Sequence, residues 1–160
     1  VSAQEMHDAV HEHVRAADIF IGVAAVADYR PATVANDKIK KTAERLTVEL
    51  VRNPDILASV ATLPNAPFTV GFAAETGNLE TAARDKLAAK KVDLICANLV
   101  AGSEGGFGAD ENRLWLVDRN GVTELPLAAK TRLARDLISH IATRFHAKNR
   151  SQNPRRAHRQ

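Results

Sequence analysis

The stretch DIFIGVAAV at residues 18–26 decides the fold class of this 160-residue chain. It is an almost unbroken apolar run with several β-branched side chains. Such runs are typical of strands covered by helices on both faces of a sheet, so we predict a central strand here. The preceding residues 4–17 carry Met6, Val10 and Val14 four positions apart, which predicts a short amphipathic helix.

Strands and helices then alternate along the chain. Residues 46–51, 68–73 and 92–97 have strand composition, whereas residues 56–63 and 80–91 have the apolar spacing of helices. This alternation predicts a three-layer, Rossmann-like α/β fold, in which a mostly parallel sheet has helices on both faces.

The last third of the chain departs from this alternation. Residues 114–118 and 122–125 flank Asn120-Gly121, a dipeptide that favours a two-residue hairpin turn. We therefore predict a C-terminal antiparallel hairpin, followed by a closing helix over residues 128–145.

Composition limits the class of protein. No apolar run approaches the roughly 20 residues that a membrane span needs, and residues 1–14 do not resemble a signal peptide, so neither is predicted. The single cysteine, Cys96, lies in an apolar strand. A disulfide framework is thus excluded, and a reducing cytosol is expected.

The basic character of the chain is concentrated at its C-terminus. Residues 147–160 hold five Lys or Arg side chains and no acidic one, and without those five charges the net charge falls from +3 to about −2. We predict a folded domain over residues 1–146 and a disordered tail over residues 147–160. No nucleic-acid partner is predicted for the folded part.

A polar, irregular stretch at residues 27–45 predicts a long loop, and such loops are often functional. Asp28 and the cluster KIKK at residues 38–41 place one carboxylate and three ammonium groups at the edge of the sheet. Lysines on a mobile segment could neutralise a leaving pyrophosphate. An ordinary solvated charge run is the alternative.

Three further patterns suggest an anionic or nucleotide ligand at the carboxyl ends of the strands, where parallel α/β sheets bind ligands. The sequence NPDI at residues 53–56 starts a helix with Asn53 as the expected cap, and its first turn has unpaired N–H donors. Lys86 and Lys90 lie four apart on one helix, and Phe72 could lie against a base. A plain cap, chance spacing and core packing are the respective alternatives.

Two other motifs predict no chemistry. His7, His11 and His13 lie on the first helix, but no Cys or further His follows at ligand spacing, so we predict a solvated face and no metal site. The glycine-rich residues 102–108 match neither the Walker nor the dinucleotide pattern, which leaves a flexible loop.

Five motifs occur in a fixed order: AAVADYRP at residues 24–31, KIKK at 38–41, NPDI at 53–56, GFAAET at 71–76 and DLICAN at 93–98. Together they resemble the synthetase half of the bifunctional bacterial phosphopantothenoylcysteine decarboxylase/synthetase family. The family's opening glycine- and asparagine-rich segments and its first strand have no counterpart here. The chain is therefore expected to lack the N-terminal part of that domain and to be incomplete as a catalyst.

The resemblance implies ligation of 4′-phosphopantothenate to L-cysteine with CTP and Mg²⁺, through an acyl-cytidylate intermediate that releases pyrophosphate and then CMP. It also implies a cytoplasmic homodimer, and it assigns FMN to a decarboxylase domain that these residues do not contain. Lys38 is the implied catalytic residue, on a flap that closes over the intermediate. The implied CTP-binding residues are Gly22, Val23, Ala24, Asp28, Lys38, Pro54, Asp55, Ile56, Leu57, Phe72, Lys86 and Lys90.

Two other function classes stay open. A non-catalytic nucleotide-binding or dimerisation module would keep the sheet without the chemistry. A nicotinamide-dependent oxidoreductase is disfavoured, because the glycine fingerprint and its downstream ribose-binding acid are not found.

Overall fold

A computed structural model describes residues 2–40, 44–100 and 109–152 of the chain, without the side chain of Gln152. In chain order the elements are α1 (Ala3–His13), a 3₁₀ turn (Val14–Ala16), β1 (Ile19–Gly22), β2 (Tyr29–Pro31), β3 (Leu50–Arg52), α2 (Ile56–Ala61), β4 (Phe68–Glu75), α3 (Leu79–Lys90), β5 (Leu94–Leu99), β6 (Glu111–Asp118), β7 (Gly121–Ala129) and α4 (Lys130–Gln152). Among these residues, no helix is both long and apolar enough to cross a bilayer.

The main sheet has five strands in the order β1-β4-β5-β6-β7. The first three are parallel, and β6 and β7 continue the sheet as an antiparallel hairpin. The predicted fold class is therefore confirmed. The predicted central position of the first strand is wrong for the described residues, because β1 pairs there only with β4. An apolar run indicates that both faces of a strand are covered, but it does not indicate how many other strands pair with it.

Helices cover both faces of this sheet. On one face, Leu133, Leu137 and Ile141 of α4 pack on a cluster that includes Val70 and Leu94. On the other face, α2 and α3 cover a smaller cluster, and its members are Ala73, Ala83, Val92, Ile95, Ala97 and Val117. The burial of these apolar side chains drives the three-layer arrangement.

The segment predicted as a strand at residues 46–51 does not join the main sheet. Instead β3 pairs with β2 in a separate two-stranded antiparallel sheet, which we call the arm. All six residues of the arm strands are exposed. The loop predicted over residues 27–45 thus contains one arm strand, and Lys41 lies outside the described residues. Strand propensity does not identify the partner of a strand, which explains the error.

The predicted hairpin is confirmed, but its turn lies one residue earlier than expected. Asp118 pairs with Gly121, so the two turn residues are Arg119 and Asn120. The Oδ1 atom of Asp118 accepts hydrogen bonds from the backbone N–H groups of Asn120 (2.7 Å) and Gly121 (3.2 Å). This aspartate side chain fixes the turn, and Gly121, with φ +145°, becomes the first residue of β7.

The closing helix is longer than predicted. Instead of ending at Phe145, α4 continues to Gln152, which includes the first six residues of the predicted tail. The Nζ atom of Lys148 lies 2.7 Å from Oδ1 of Asp93, so this lysine belongs to the folded domain. Residues 153–160 and the glycine-rich loop at residues 102–108 lie outside the described residues, and the disorder predicted for the end of the tail stays a prediction.

Candidate functional site

The carboxyl ends of β1, β4 and β5 meet at one edge of the sheet, and α2 begins beside them. Gly22 of β1 pairs with Gly71 of β4. A Cβ atom on Gly71 would overlap the side chain of Leu57, and one on Gly22 would lie 3.4 Å from Leu57 Cδ1. The two glycines therefore let α2 approach the sheet at this edge.

Asp55 has two functions at the start of α2. Its Oδ1 atom accepts a hydrogen bond from the Ala58 N–H (3.0 Å), and its Oδ2 atom pairs with Nζ of Lys90. Burial opposes ionisation of this carboxyl, but the hydrogen bonds from Lys90 and Ala58 outweigh it, so the pKa of Asp55 lies below its ordinary value. The cap is thus Asp55 and not the predicted Asn53.

Lys86 also has a carboxylate partner. Its Nζ atom lies 2.6 Å from Oε1 of Glu75, the last residue of β4. The Glu75 side chain is 14% exposed and that of Lys86 is 42% exposed. The structure thus brings Lys86 and Lys90 to the same edge as Gly22 and Asp55. Each of the two lysines is paired with an acidic side chain. The sequence patterns assign no role to Glu75, although it lies within the motif GFAAET at residues 71–76.

Asn53 connects the arm to the start of α2. Its backbone N–H donates to the Asp28 carbonyl (2.8 Å), and its side-chain amide donates to the Ala27 carbonyl (2.8 Å). Its Oδ1 atom accepts a hydrogen bond from Nη1 of Arg30 (3.2 Å), which also donates to the Arg52 carbonyl (2.7 Å). An asparagine beside a proline suggested only a helix start, so sequence reasoning missed this role.

The remaining predicted residues vary in their placement. Val23, Ala24 and Asp28 are exposed in the segment that follows β1, and Lys38 is exposed in the connection between β2 and β3. Pro54 is partly buried, and Ile56 is buried in the core, with 7% of its surface exposed. Only the backbone of Ile56 is therefore available to a ligand.

Phe72 lies on the other face of the sheet. Successive side chains of a strand alternate between faces, and Ala73 packs in the cluster beneath α2 and α3. Phe72 therefore shares the α4 face with Val70, and it is 37% exposed. It lies near the same edge as Lys86 and Lys90, but its ring does not face them.

The electrostatics of the other titratable groups limit the chemistry. A hydrogen bond with Tyr29 raises the pKa of Arg52 in the arm, and an arginine is cationic at every working pH. Burial raises the pKa of the Cys96 thiol to about 12, which makes it an unreactive core residue. In the described part of the chain, no three His, Cys, Asp or Glu side chains form a cluster that could hold a metal ion.

The first helix differs from the expected solvated histidine face. Nε2 of His11 lies 2.8 Å from Oγ of Ser59 in α2, and the ring centroids of His7 and His11 lie 4.3 Å apart with the rings tilted by 34°. His13 is exposed. His11 therefore contributes to the packing of α1 on α2, and His7 contacts His11 on the same helix.

Several curated proteins similar to this chain carry the same name. The coenzyme A biosynthesis bifunctional protein CoaBC of Vibrio vulnificus (strain YJ016) is 50% identical over 145 residues, which cover 89% of this chain and 36% of that protein. The CoaBC protein of Escherichia coli (strain K12) is 50% identical over 154 residues, which cover 94% of this chain and 38% of that protein. The chain therefore spans little more than a third of the length of these relatives.

Solved structures share the fold. The crystal structure of the C-terminal domain of a coenzyme A biosynthesis bifunctional protein CoaBC has a TM-score of 0.70 and 34% identity, with 92% of this chain and 64% of that chain covered. The DNA/pantothenate metabolism flavoprotein from Streptococcus pneumoniae has a TM-score of 0.71 at 23% identity, with 91% and 69% covered, and this likeness concerns the fold alone.

A family model supports the same assignment over most of the sequence. The model of the DNA/pantothenate metabolism flavoprotein C-terminal domain matches residues 1–145. The resemblance carried by the five motifs is thus confirmed, and the chain belongs to the family of DNA/pantothenate metabolism flavoprotein C-terminal domains.

Proposed function

We propose that this chain is the nucleotide-handling part of a phosphopantothenate–cysteine ligase and that it acts in coenzyme A biosynthesis as part of a longer protein. The observation that carries the proposal is the meeting of Lys86 and Lys90 with the Gly22 strand end and the start of α2. Such an edge is where parallel α/β sheets bind ligands. The names of the CoaBC relatives support the pathway.

The substrate proposed for this edge is CTP. Lys86 and Lys90 would bind its phosphates, and residues 22–24, Asp28 and the backbone of residues 54–57 would contact the rest of the nucleotide. Phe72, on the opposite face, would reach the nucleotide only if the base extends around the sheet edge. Mg²⁺ is usually held by substrate phosphates and one or two carboxylates, and the exposed Asp28 fits that role. The ion would neutralise phosphate charge.

Two successive displacements make up the proposed reaction. The carboxylate of 4′-phosphopantothenate attacks the α-phosphorus of CTP, which forms an acyl-cytidylate and releases pyrophosphate. The amine of cysteine then attacks the acyl carbon, forms the amide and displaces CMP. Lys38 would neutralise the charge that develops on the phosphates, and its exposed place between β2 and β3 would let it close over the edge.

A homodimer is part of the proposal. Among the described residues, the arm exposes large side chains with apolar surface, namely Tyr29 (51% exposed), Leu50 (55%) and Val51 (36%). A second copy would bury them, and it would bring two arms together beside the Lys38 segment.

Calorimetric titration of this chain with CTP and Mg²⁺ tests the nucleotide assignment. We expect CTP to bind more tightly than ATP, and NADH not to bind. Equal affinity for the three nucleotides would contradict the proposal, and a preference for NADH would favour the oxidoreductase alternative.

The role of Lys38 requires the full-length protein. Substitution Lys38→Gln there should lower the rate of CTP-dependent pyrophosphate release by about 10²-fold or more, because one charge at the transition state is lost. An unchanged rate would remove Lys38 from the mechanism. Binding of CTP without any pyrophosphate release, even in the unsubstituted full-length protein, would favour the non-catalytic module.

A further inference from the structure

Both lysines that the proposed function assigns to phosphates are already paired with carboxylates. Lys86 pairs with Glu75, and Lys90 pairs with Asp55. The two carboxylates come from different elements, the end of β4 and the cap of α2. Counted over these four side chains, the edge carries no net positive charge before a ligand arrives.

The two pairs differ in how easily the lysine can be released. Glu75 is only 14% exposed, so its carboxylate would lose its ammonium partner while largely shielded from water. Asp55 is 47% exposed, and it keeps its hydrogen bond from the Ala58 N–H when Lys90 leaves. Breaking the Glu75 pair therefore costs more free energy than breaking the Asp55 pair, since buried charges depend more on their partners.

We propose that Glu75 and Asp55 are positioning residues that hold Lys86 and Lys90 at the sheet edge until the polyphosphate of a nucleotide displaces them. This inference rests on the proposed function only for the identity of the ligand as a nucleotide. Phosphate oxygens replace carboxylate oxygens around each ammonium group, and no covalent bond changes. Glu75 and Asp55 act through the lysines and do not touch the reacting atoms.

This exchange of carboxylate for phosphate weakens the binding of every ligand that uses the two lysines, because the two ion pairs must first be separated. A free polyphosphate makes contacts through its phosphate oxygens alone, so it has less than a nucleotide has to offset the separation of the two pairs. A nucleotide also has contacts from its base and sugar, so it can bind at concentrations at which inorganic polyphosphate does not. The acidic partners would thereby keep the edge free of inorganic anions.

Calorimetry at constant ionic strength tests the exchange with inorganic tripolyphosphate, CTP and cytidine as probes. Glu75→Gln keeps the shape of the side chain and removes its charge, and Asp55→Asn does the same while it preserves a good helix cap. We expect tripolyphosphate and CTP to bind about fivefold more tightly to Glu75→Gln, the equivalent of one ion pair of about 1 kcal/mol, and by a smaller factor to Asp55→Asn. Cytidine affinity should not change.

Two controls separate this effect from a general gain of positive charge. Glu80→Gln removes a carboxylate from the exposed pair that Glu80 forms with Arg84 on the same helix, and it should leave tripolyphosphate affinity unchanged. In a Lys86→Gln background, Glu75→Gln should give no gain, because the ammonium group that the carboxylate holds is gone.

Each outcome decides the inference. Unchanged or weaker tripolyphosphate binding in Glu75→Gln would overturn it, as would a gain of equal size in Glu80→Gln or an absence of binding to every variant. If CTP binds the unsubstituted chain no better than tripolyphosphate does, the proposed nucleotide function fails. A fivefold gain with Glu75→Gln would still support the exchange in that case.

Discussion

The two edges of the parallel strands both carry acid–base pairs, but they are built differently. At the amino edge, Asp93 accepts hydrogen bonds from the Thr69 N–H (2.9 Å), the Thr69 hydroxyl (3.3 Å) and Lys148 Nζ (2.7 Å). At the carboxyl edge, the carboxylate of Glu75 has one partner among the described residues, Lys86. A carboxylate with several partners inside the fold stabilises the folded structure. A carboxylate whose single partner is half-exposed can lose that partner to a ligand.

The hairpin turn contains a second acidic side chain with several partners inside the fold. Asp118, which is 5% exposed, accepts two backbone hydrogen bonds in the turn, and its Oδ2 atom lies 2.7 Å from Nε of Arg144. This last contact is an ion pair without hydrogen-bond geometry. A cleft of about 380 Å³ opens beside these groups. The acidic side chains that line this cleft form ion pairs that hold α4 on the sheet.

The largest expected effect is a loss of stability when the contacts of Asp93 at the amino edge are removed. Asp93→Ala removes the acceptor for the N–H and hydroxyl of Thr69, which is 1% exposed, and leaves Lys148 without this partner. We expect the free energy of unfolding to fall by about 3 kcal/mol in urea titrations. CTP affinity, measured where the variant is fully folded, should stay unchanged, and a selective loss of CTP binding would contradict the division between the edges.

An intermediate effect is expected at the glycine pair of the carboxyl edge. A methyl group at Gly71 overlaps Leu57 and lies 3.2 Å from Cδ1 of Ile95, so Gly71→Ala should lower the free energy of unfolding by about 1–3 kcal/mol. It should also weaken CTP binding, because α2 must shift. Gly77→Ala is the matched control, since a Cβ atom there meets nothing within 4 Å. Equal stability of the two variants would contradict the tight approach of α2.

The smallest effect concerns the pH dependence of Asp55. Its pKa is lowered in the folded protein, so its ionised form contributes stability that is present above the ordinary pKa of about 4 and is lost as the pH falls through the folded value. Because the side chain is 47% exposed, we expect less than about 1 kcal/mol.

Urea titrations near pH 7 and pH 3 measure this term. Asp55→Asn keeps the cap but cannot ionise, so the stability difference between Asp55→Asn and the unsubstituted chain should shrink at the lower pH. A difference that does not depend on pH would show that the carboxylate contributes nothing through its charge.

Particular residues show how far the sequence predicts the site. The spacing of Lys86 and Lys90 placed both on one helix face, and in the structure both lie on α3 with acidic partners at the carboxyl edge. Their partners Glu75 and Asp55 are 11 and 35 residues away. Such pairings depend on how β4, α2 and α3 pack, and no local pattern reports that.

Two sequence predictions are wrong for the same reason: contacts between residues far apart in the chain decide the outcome. Residues 46–51 have strand composition, but the hydrogen bonds of Leu50–Arg52 with Tyr29–Pro31 put β3 in an arm outside the main sheet. Asn53 looked like a helix cap, but Asp55 caps the helix and Asn53 binds the loop carbonyls of Ala27 and Asp28.

The sequence by itself determined the three-layer α/β class, the final hairpin and the family of this chain, because apolar periodicity and contiguous motifs are local properties. The tertiary structure alone decided that β1 has a single described neighbour, that Phe72 faces away from the lysines, and that carboxylates hold those lysines. These features depend on contacts between residues far apart in the chain, and they form only when the helices pack on the sheet and bury its two faces.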